Sequence, residues 1–264
     1  MRIVIKLGGS LLADRHLLED LVAQTADIQG NGHEAIWVHG GGRQIKQYLE
    51  QMGISSRFHR GLRVTDQATM QVVQMVLAGL VNKEIVAALG RLKVPAAGFC
   101  GGDGMSFLAR KYQDAESQDG NVDYGFVGEV YAGDPRLVNL LLQGQYVPVI
   151  ACVAIDEQGM YYNVNADEMA AAVAIFCRAN RLIFLTDVPG VLDQNQKVIS
   201  VLTRSRIQEL RSHGVISEGM LPKTRACERA LEGGVRQVHI VGGKEHGSLT
   251  RVLLKGESLG TAIH

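Results

Sequence analysis

The chain has 264 residues, of which 46% are hydrophobic and 20% are charged, and its 27 Lys and Arg residues balance 27 Asp and Glu residues. This length suits one large α/β unit or two closely joined lobes, and the composition excludes a disordered chain. A net charge of zero argues against a nucleic-acid or anionic-membrane partner, because both favour a basic surface. Glycine is abundant at 31 residues and proline scarce at 5, which indicates tight loops between regular elements.

The first residues of the chain have the pattern of a strand, and that segment is too short for the hydrophobic region of a signal peptide. No uninterrupted apolar run reaches the roughly 18 to 20 residues of a membrane helix. The four cysteines are far apart and form no C-x-x-C pair, which argues against a disulfide framework and a zinc site. We therefore expect a cytoplasmic protein with no membrane partner.

Strand and helix signals alternate along the chain. Strands are predicted at 2–6, 35–39, 96–99, 147–153, 181–185 and 237–241. Helices are predicted around 17–22 and at 43–52, 66–92 (with a possible break near Gly79), 167–179, 203–213, 223–232 and 247–254. This alternation predicts an α/β fold with a mainly parallel sheet covered by helices on both faces.

Two segments depart from the alternation, and charge divides the chain. Residues 124–130 and 160–163 alternate with period two and carry aromatic side chains, which predicts antiparallel ribbons. Residues 1–178 hold 15 Lys and Arg against 19 Asp and Glu, a net charge of −4, whereas residues 179–264 hold 12 against 8, a net charge of +4. The charge distribution suggests a division into two lobes near residue 179.

Glycine clusters follow the first two predicted strands, at Gly8-Gly9 and at 40–42. Such clusters are either tight turns or loops whose backbone amides approach an anion closely. Neither is a dinucleotide fingerprint, which argues against a nicotinamide oxidoreductase, and no G-x-x-x-x-G-K-[ST] loop is present. Lys6, at the end of the first strand, fits a phosphate-binding cation and an ordinary surface lysine equally well.

Two later segments have the same ambiguity. The segment from Thr186 to Val191 follows a strand and reads either as an aspartate-initiated turn closed by Gly190 or as part of a ligand loop. Lys223 lies in the first turn of a predicted helix, where the helix dipole disfavours a cation. A bound anion nearby would account for that position, and so would solvation of a surface side chain.

Taken together and in order, these segments resemble the amino acid kinase family. The resemblance is carried by 6–10 (KLGGS), 39–42 (HGGG), 186–191 (TDVPGV) and 219–223 (GMLPK). Within the family, 61–66 (GLRVTD), 81–84 (VNKE) and 163–167 (NVNAD) resemble the branch that phosphorylates N-acetyl-L-glutamate. The match runs in register over nearly the whole chain, so the ordered set is specific although each motif alone is weak.

The resemblance implies a three-layer αβα sandwich, with an acyl-substrate and dimerisation lobe at 1–178 and a nucleotide-binding lobe at 179–264. It implies transfer of the γ-phosphoryl group of ATP to the side-chain carboxylate of N-acetyl-L-glutamate, the second step of arginine biosynthesis. Mg²⁺ is then expected to be held by phosphates and water, without protein ligands. His39 is expected to be structural, because a carboxylate acceptor needs no general base at neutral pH.

The resemblance also assigns roles to individual residues. The implied catalytic residues are Lys6, Gly9, Gly41, Asp167 and Lys223, with Asp167 orienting both lysines. The implied substrate-binding residues are Gly40, Gly41, Arg63 and Asn163, with Arg63 gripping the α-carboxylate. The implied nucleotide-binding residues are Lys6, Gly8, Thr186, Asp187, Val188, Gly190, Val191, Ser217, Gly219, Met220 and Lys223.

Because the chain starts at its first strand, without the N-terminal helix of hexameric relatives, we expect a homodimer that is insensitive to arginine. A sibling kinase acting on carrier-protein-linked aminoadipate or glutamate is the nearest alternative. A non-catalytic amino-acid- or nucleotide-binding regulator of the same fold is the second alternative, and the joint presence of Lys6, Asp167 and Lys223 argues against it.

Overall fold

A computed structural model of the chain describes residues 1–12, 14–114, 122–216 and 219–264. In chain order the strands are β1 (Arg2–Leu7), β2 (Glu34–His39), β3 (Arg57–His59), β4 (Leu62–Val64), β5 (Ala96–Cys100), β6 (Phe107–Lys111), β7 (Val127–Gly133), β8 (Val147–Ala151), β9 (Val153–Ile155), β10 (Tyr161–Val164), β11 (Arg181–Thr186), β12 (Val201–Leu202), β13 (Gln237–Gly242) and β14 (Thr261–Ile263). The α-helices are α1 (Gly9–Leu12), α2 (Arg15–Gly30), α3 (Gly42–Gln51), α4 (Gln67–Gln74), α5 (Asn82–Arg91), α6 (Arg136–Gln143), α7 (Ala166–Phe176), α8 (Arg204–Ser212), α9 (Leu221–Glu232) and α10 (Ser248–Leu253).

The centre of the molecule is a mainly parallel sheet. Within the described residues it has eight strands in the order β12-β14-β13-β11-β1-β2-β8-β5. β1 lies in the middle, parallel to β2 on one side and to β11 on the other, whereas β14 runs antiparallel to β13. The central strands are buried because helices cover both faces, as their continuous runs of Val, Ile and Leu indicate. The predicted α/β fold class is confirmed.

A smaller, closed barrel lies beside the main sheet and contains β10, β7, β6 and β9. The pairs β6–β7 and β9–β10 are antiparallel, as the period-two segments predict, and β7 pairs with β10 in parallel. β3 and β4 form a separate two-stranded hairpin. These two units carry side chains of the candidate site toward the sheet.

Helix α7 is buried between the main sheet and α9, and it also packs on β7 of the barrel. Every side chain from Met169 to Ala174 is buried, and four of these six are alanine. Small side chains allow a helix to lie close to elements on several sides at once. The first turn of α7 therefore lies near the carboxyl end of β1.

The predicted helix at 66–92 is continuous from Gln67 to Arg91, and a π-helical segment, Met75–Val81, replaces the break suggested near Gly79. Length and composition alone would let this helix cross a membrane, because one 18-residue window has a mean hydropathy of 1.6. Half of that window is buried within the protein, where Val73 and Leu77 join the core. A core helix therefore accounts for this composition.

Candidate active site

A buried cluster of three charged side chains lies at the carboxyl end of β1. The Nζ atom of Lys6 is 2.8 Å from Oδ1 of Asp167, and the Nζ atom of Lys223 is 3.0 Å from both carboxylate oxygens of Asp167. All three residues are at least nine-tenths buried. The structure thus brings together three residues that are up to 217 positions apart in the sequence.

Local structure explains how each member of the cluster is positioned. Lys6 pairs in register with Val38 of β2 and Phe184 of β11, so it lies in the middle of the sheet. Asp167 is in the first turn of α7, where the helix dipole favours an anion. Lys223 is in the first turn of α9, where the dipole disfavours a cation, and the nearby carboxylate offsets that cost.

The cluster carries two positive charges and one negative charge. Burial alone would raise the pKa of Asp167, but attraction to Lys6 and Lys223 lowers it to about 2. Burial lowers the pKa of Lys223 below its ordinary value, although attraction to Asp167 opposes this fall. A buried net positive charge is costly unless an anion compensates it. The cluster is therefore a site for an anionic ligand.

The two early glycine loops lie beside this cluster, at the carboxyl ends of neighbouring parallel strands, where α/β sheets bind ligands. A Cβ atom added to Gly40 would lie 3.1 Å from Cβ of Ala166, and one added to Gly41 would lie 2.7 Å from Cδ2 of Leu77. Gly41 is the N-cap of α3, and no described side chain caps that helix. The loop is thus held close to the first turn of α7 with a helix N-terminus open to an anion.

Arg63 of β4 is a buried cation that contacts polar and aromatic groups. Its guanidinium donates to Oγ of Ser56 and, at 3.0 Å, to the carbonyl oxygen of Gly42, and it lies 4.5 Å above the ring of Phe58. In the described part of the chain no carboxylate lies within ion-pair distance of Arg63. Since arginine stays charged, the side chain is oriented and available for an anion from outside.

Asn163 of β10 is connected to Arg63 through a threonine. Its Nδ2 atom donates to Oγ1 of Thr65 at 3.1 Å, and that hydroxyl donates to the carbonyl oxygen of Arg63 at 2.7 Å. Asn163 lies four residues before Asp167 in the sequence. The substrate-binding residues expected from the sequence thus lie on the β3–β4 hairpin, the barrel and the Gly40-Gly41 loop. Hydrogen bonds connect Asn163 to Arg63 through Thr65, and Arg63 to the carbonyl oxygen of Gly42.

The residues expected to bind nucleotide fall into two segments. Thr186 ends β11, the neighbour of β1, and Asp187 and Val188 follow it. Gly190 packs tightly, because an added Cβ atom would lie 2.8 Å from Oγ1 of Thr261. Val191 differs from the other residues of this segment. Its side chain is buried, and both its N–H and its carbonyl are hydrogen-bonded within the protein, so it stabilises the turn.

The second segment leads into α9. Gly219 precedes the helix and Met220 is its N-cap, directly before the turn that carries Lys223. Gly8 connects the loop after β1 to the end of β11, because its N–H donates to the carbonyl oxygen of Leu185 at 3.0 Å. Ser217, which the sequence analysis also assigns to the nucleotide, lies outside the described residues.

His39, which is expected to be structural, forms a buried pair with Asn82, for which no role is predicted from the sequence. Nδ2 of Asn82 donates to Nε2 of His39 at 3.1 Å, so the ring proton is on Nδ1 and donates to the carbonyl oxygen of Gly40 at 3.0 Å. Burial lowers the pKa of His39 to about 4, which keeps the ring neutral. The pair holds the Gly40 peptide in place. In the sequence, the signal for this pair is a polar residue, Asn82, within an apolar helix.

These features define a class of protein: an α/β enzyme fold with a buried cationic cluster beside glycine loops at the carboxyl edge of its sheet. The model of the amino acid kinase family matches residues 1–242. The chain belongs to the amino acid kinase family. Within the described residues, no group of three or more His, Cys, Asp or Glu side chains is placed to hold a metal ion.

Individual relatives agree with this assignment. A protein from Acidobacterium capsulatum named acetylglutamate kinase is 47% identical over 241 residues, which cover 91% of this chain and 90% of the relative. A protein of the same name from Mesorhizobium japonicum is 43% identical, with 99% of this chain and 90% of the relative covered.

Solved structures agree on the fold. The structure of smu.665 from Streptococcus mutans UA159 superimposes with a TM-score of 0.83 at 30% identity and covers 99% of this chain and 98% of that chain. N-acetylglutamate synthase from Neisseria gonorrhoeae, complexed with coenzyme A and N-acetyl-glutamate, superimposes with a TM-score of 0.85 at 26% identity; 99% of this chain and 59% of that chain are covered.

Proposed function

We propose that the protein transfers the γ-phosphoryl group of ATP to the side-chain carboxylate of N-acetyl-L-glutamate, the reaction that serves arginine biosynthesis. The observation that carries the proposal is the buried net positive charge of Lys6, Asp167 and Lys223, together with the buried Arg63, which forms no ion pair with any described carboxylate. Two separate anions are needed to compensate these groups, and a phosphoryl donor and an acyl amino acid supply them. The names of relatives that are 43% and 47% identical support the same reaction.

In this proposal the protein contributes charge and position rather than covalent chemistry. Phosphoryl transfer depends on alignment of donor and acceptor and on neutralising the charge of the transferred group. Lys6 and Lys223 stabilise that charge, and Asp167 holds both ammonium groups at fixed distances. The amides of Gly9 and Gly41 add hydrogen-bond donors. The acceptor carboxylate is ionised at neutral pH and attacks without a general base.

The nucleotide is proposed to bind along the carboxyl end of β11 and the start of α9, in contact with Gly8, Thr186 to Gly190, Gly219 and Met220. Residues 179–264 then form the nucleotide lobe and residues 1–178 the acyl-substrate lobe. Asp167 is engaged by two lysines and has no oxygen free of them for a cation. Mg²⁺ is therefore proposed to be held by the nucleotide phosphates and water, where it would neutralise phosphate charge.

Arg63 and Asn163 are proposed to bind the α-carboxylate and the neighbouring polar atoms of acetylglutamate. Replacing Arg63 by alanine is expected to raise KM for acetylglutamate by roughly 10- to 100-fold, because a hydrogen bond to a charged group contributes about 1.5–3 kcal/mol. We expect kcat to change much less, since Arg63 is remote from the transferred phosphoryl group. Initial rates at saturating ATP measure both constants.

Arg60 provides the matched control for that variant. It belongs to the same hairpin, but it is exposed and pairs with Asp114 at 3.0 Å. Arg60→Ala is expected to leave KM within about twofold, because the Arg60 guanidinium is engaged by Asp114 rather than held for an anion from outside. An unchanged KM in Arg63→Ala, or an equal rise in both variants, would show that Arg63 does not bind the acceptor.

A homodimer is proposed on the edge of the main sheet formed by β5. This strand is the outermost of its side and consists largely of small apolar residues, and the adjoining long helix exposes Met75 (54%) and Leu80 (38%). An apolar patch beside an open sheet edge is a self-complementary surface for a second copy. The protein is further proposed to be cytoplasmic, with no nucleic-acid or membrane partner.

Leu80→Asp is expected to convert the dimer into a monomer, because each copy would bury an unpaired carboxylate at the interface. Light scattering on an eluting gel-filtration peak should give twice the 28.6 kDa chain mass for the wild type and once that mass for the variant. Val201→Asp is the control, since Val201 is also an exposed apolar residue (55%) and lies on β12 at the opposite edge of the sheet. A wild-type monomer, or a dimeric Leu80→Asp, contradicts the assignment.

The substrate is tested by measuring ADP release with N-acetylglutamate, glutamate and aminoadipate in parallel. The proposal requires turnover that depends on N-acetylglutamate, with the two free amino acids at least tenfold poorer as acceptors. Preference for aminoadipate would favour the carrier-linked kinase of lysine biosynthesis. ATP binding without turnover on any acceptor would favour a regulator.

A further inference from the structure

A second ion pair lies directly beside the charged cluster and connects α9 to two other elements. Nη1 of Arg229 is 2.8 Å from Oε2 of Glu168, and Nη2 of Arg229 donates to the carbonyl oxygen of Val130. Both side chains are about 70% buried, with 27% and 30% of their areas exposed. Arg229 thus reaches from α9 to the first turn of α7 and to β7 of the barrel.

Each residue of this ion pair lies on the same helix as one member of the charged cluster. Glu168 follows Asp167 in α7, and Arg229 follows Lys223 by six residues in α9, about 9 Å along the helix axis. Two ion pairs therefore join the same two helices, Asp167–Lys223 and Glu168–Arg229. The position of the Lys223 ammonium group depends on where α9 lies on α7.

The apolar contact between α7 and α9 is close. The side chains between the helices are small, as at Ala226 and Ala230 of α9. Just past the end of α9 an added Cβ atom at Gly233 would lie 2.4 Å from the side chain of Ile175 of α7. Arg229 adds a directional constraint to this contact, because its guanidinium donates to two acceptors in a fixed geometry. No described side chain caps the N-terminus of α9.

We propose that Arg229 is a positioning residue for Lys223: by holding Glu168 and the Val130 carbonyl together, it sets the place of the Lys223 ammonium group against Asp167 for phosphoryl transfer. This inference rests on the proposed kinase function. It predicts that Arg229 acts on kcat through Lys223 and contributes nothing once that lysine is removed.

Arg229→Ala is expected to lower kcat by roughly 10- to 100-fold, the effect of displacing an oriented catalytic charge, with KM for both substrates within about threefold. In a Lys223→Ala background the same substitution should cause no further loss beyond about twofold, because its target is gone. Arg229→Lys should recover part of kcat, since one ammonium group can contact one of the two acceptors strongly.

Arg2→Ala is the matched control. Arg2 of β1 pairs with Glu34 at 2.7 Å and donates to the carbonyl oxygen of Cys177 at 2.6 Å, so it also joins one carboxylate and one backbone carbonyl, but it lies at the opposite end of α7 from Asp167. It is expected to lower the free energy of unfolding while leaving kcat within about twofold. If Arg229→Ala does not fold, Glu168→Gln tests the proposal instead, because it keeps the side-chain volume and removes only the charge. We expect a several-fold fall in kcat that disappears in the Lys223→Ala background.

The inference is overturned if Arg229→Ala, or Glu168→Gln in its place, loses no more kcat than Arg2→Ala. It is also overturned if the loss is the same with and without Lys223. Wild-type turnover with acetylglutamate separates these outcomes from a failure of the proposed function, which would appear as an inactive wild type.

Discussion

Asp167→Ala is expected to lower the free energy of unfolding by about 3–5 kcal/mol and to abolish measurable turnover. The substitution leaves Lys6 and Lys223 buried beside each other without an anion, and removing one member of a buried ion pair has a cost of this size. Turnover is lost because neither ammonium group keeps its position. Urea unfolding followed by circular dichroism, together with ADP release, measures both effects.

The pH dependence gives this prediction a second test. The pKa of Asp167 is lowered to about 2 in the folded protein, from 3.8. A lowered pKa means that the carboxylate stabilises the folded state fully above about pH 5, and that this contribution is lost as the pH falls toward 2. The stability difference between wild type and Asp167→Asn should therefore shrink as the pH falls below about 5.

Asp27→Asn is the control for both measurements, because Asp27 is exposed on α2. It is expected to change the free energy of unfolding by less than about 0.5 kcal/mol, as exposed substitutions do. If Asp167→Ala unfolds at the same urea concentration as this control, the carboxylate does not compensate two buried cations.

Lys6→Ala and Lys223→Ala are each expected to lower kcat by roughly 10² or more, the size of effect found when one oriented donor to a transition-state charge is removed. KM for acetylglutamate should change little, because neither lysine is proposed to bind its α-carboxylate. Steady-state kinetics with both substrates varied separates the two constants. Lys→Arg should not restore activity at either position, since a guanidinium is larger and cannot occupy the space beside Asp167.

Lys46→Ala supplies the comparison, because Lys46 is exposed on α3 and its nearest acidic partner is Glu50 at 3.8 Å. Its kcat should match the wild type. Near-normal kcat in both Lys6→Ala and Lys223→Ala would mean that the cluster is a structural ion-pair network and that the phosphoryl group binds elsewhere.

The fold was predictable because its main signals are local. The continuous apolar runs of β1 and β2, each followed by glycine, have the pattern of buried parallel strands, and the structure places them side by side. The closed barrel was not predictable, because it requires Asn163 to pair with Val127 across a long stretch of chain. The π-helical segment near Gly79 is a second such case, since sequence periodicity does not distinguish it from a break.

The candidate site was predictable only through the family resemblance. Nothing in the local sequence indicates that Lys6 and Lys223 meet at one carboxylate, and each alone fits a surface lysine. Glu168 and Arg229 have the pattern of ordinary charged residues on helix surfaces. Their pairing is a consequence of how α7 and α9 pack, which is a tertiary property and leaves no motif in the sequence.

The proposed chemistry requires an acyl phosphate as product, and hydroxylamine traps such a product as a hydroxamate. With ATP and N-acetylglutamate, the protein is expected to form one hydroxamate for each ADP released. N-acetylglutamine, which lacks the side-chain carboxylate, should give neither product. Hydroxamate formation that requires N-acetylglutamate would establish the reaction, whereas ADP release without hydroxamate, or no reaction with N-acetylglutamate, would contradict it.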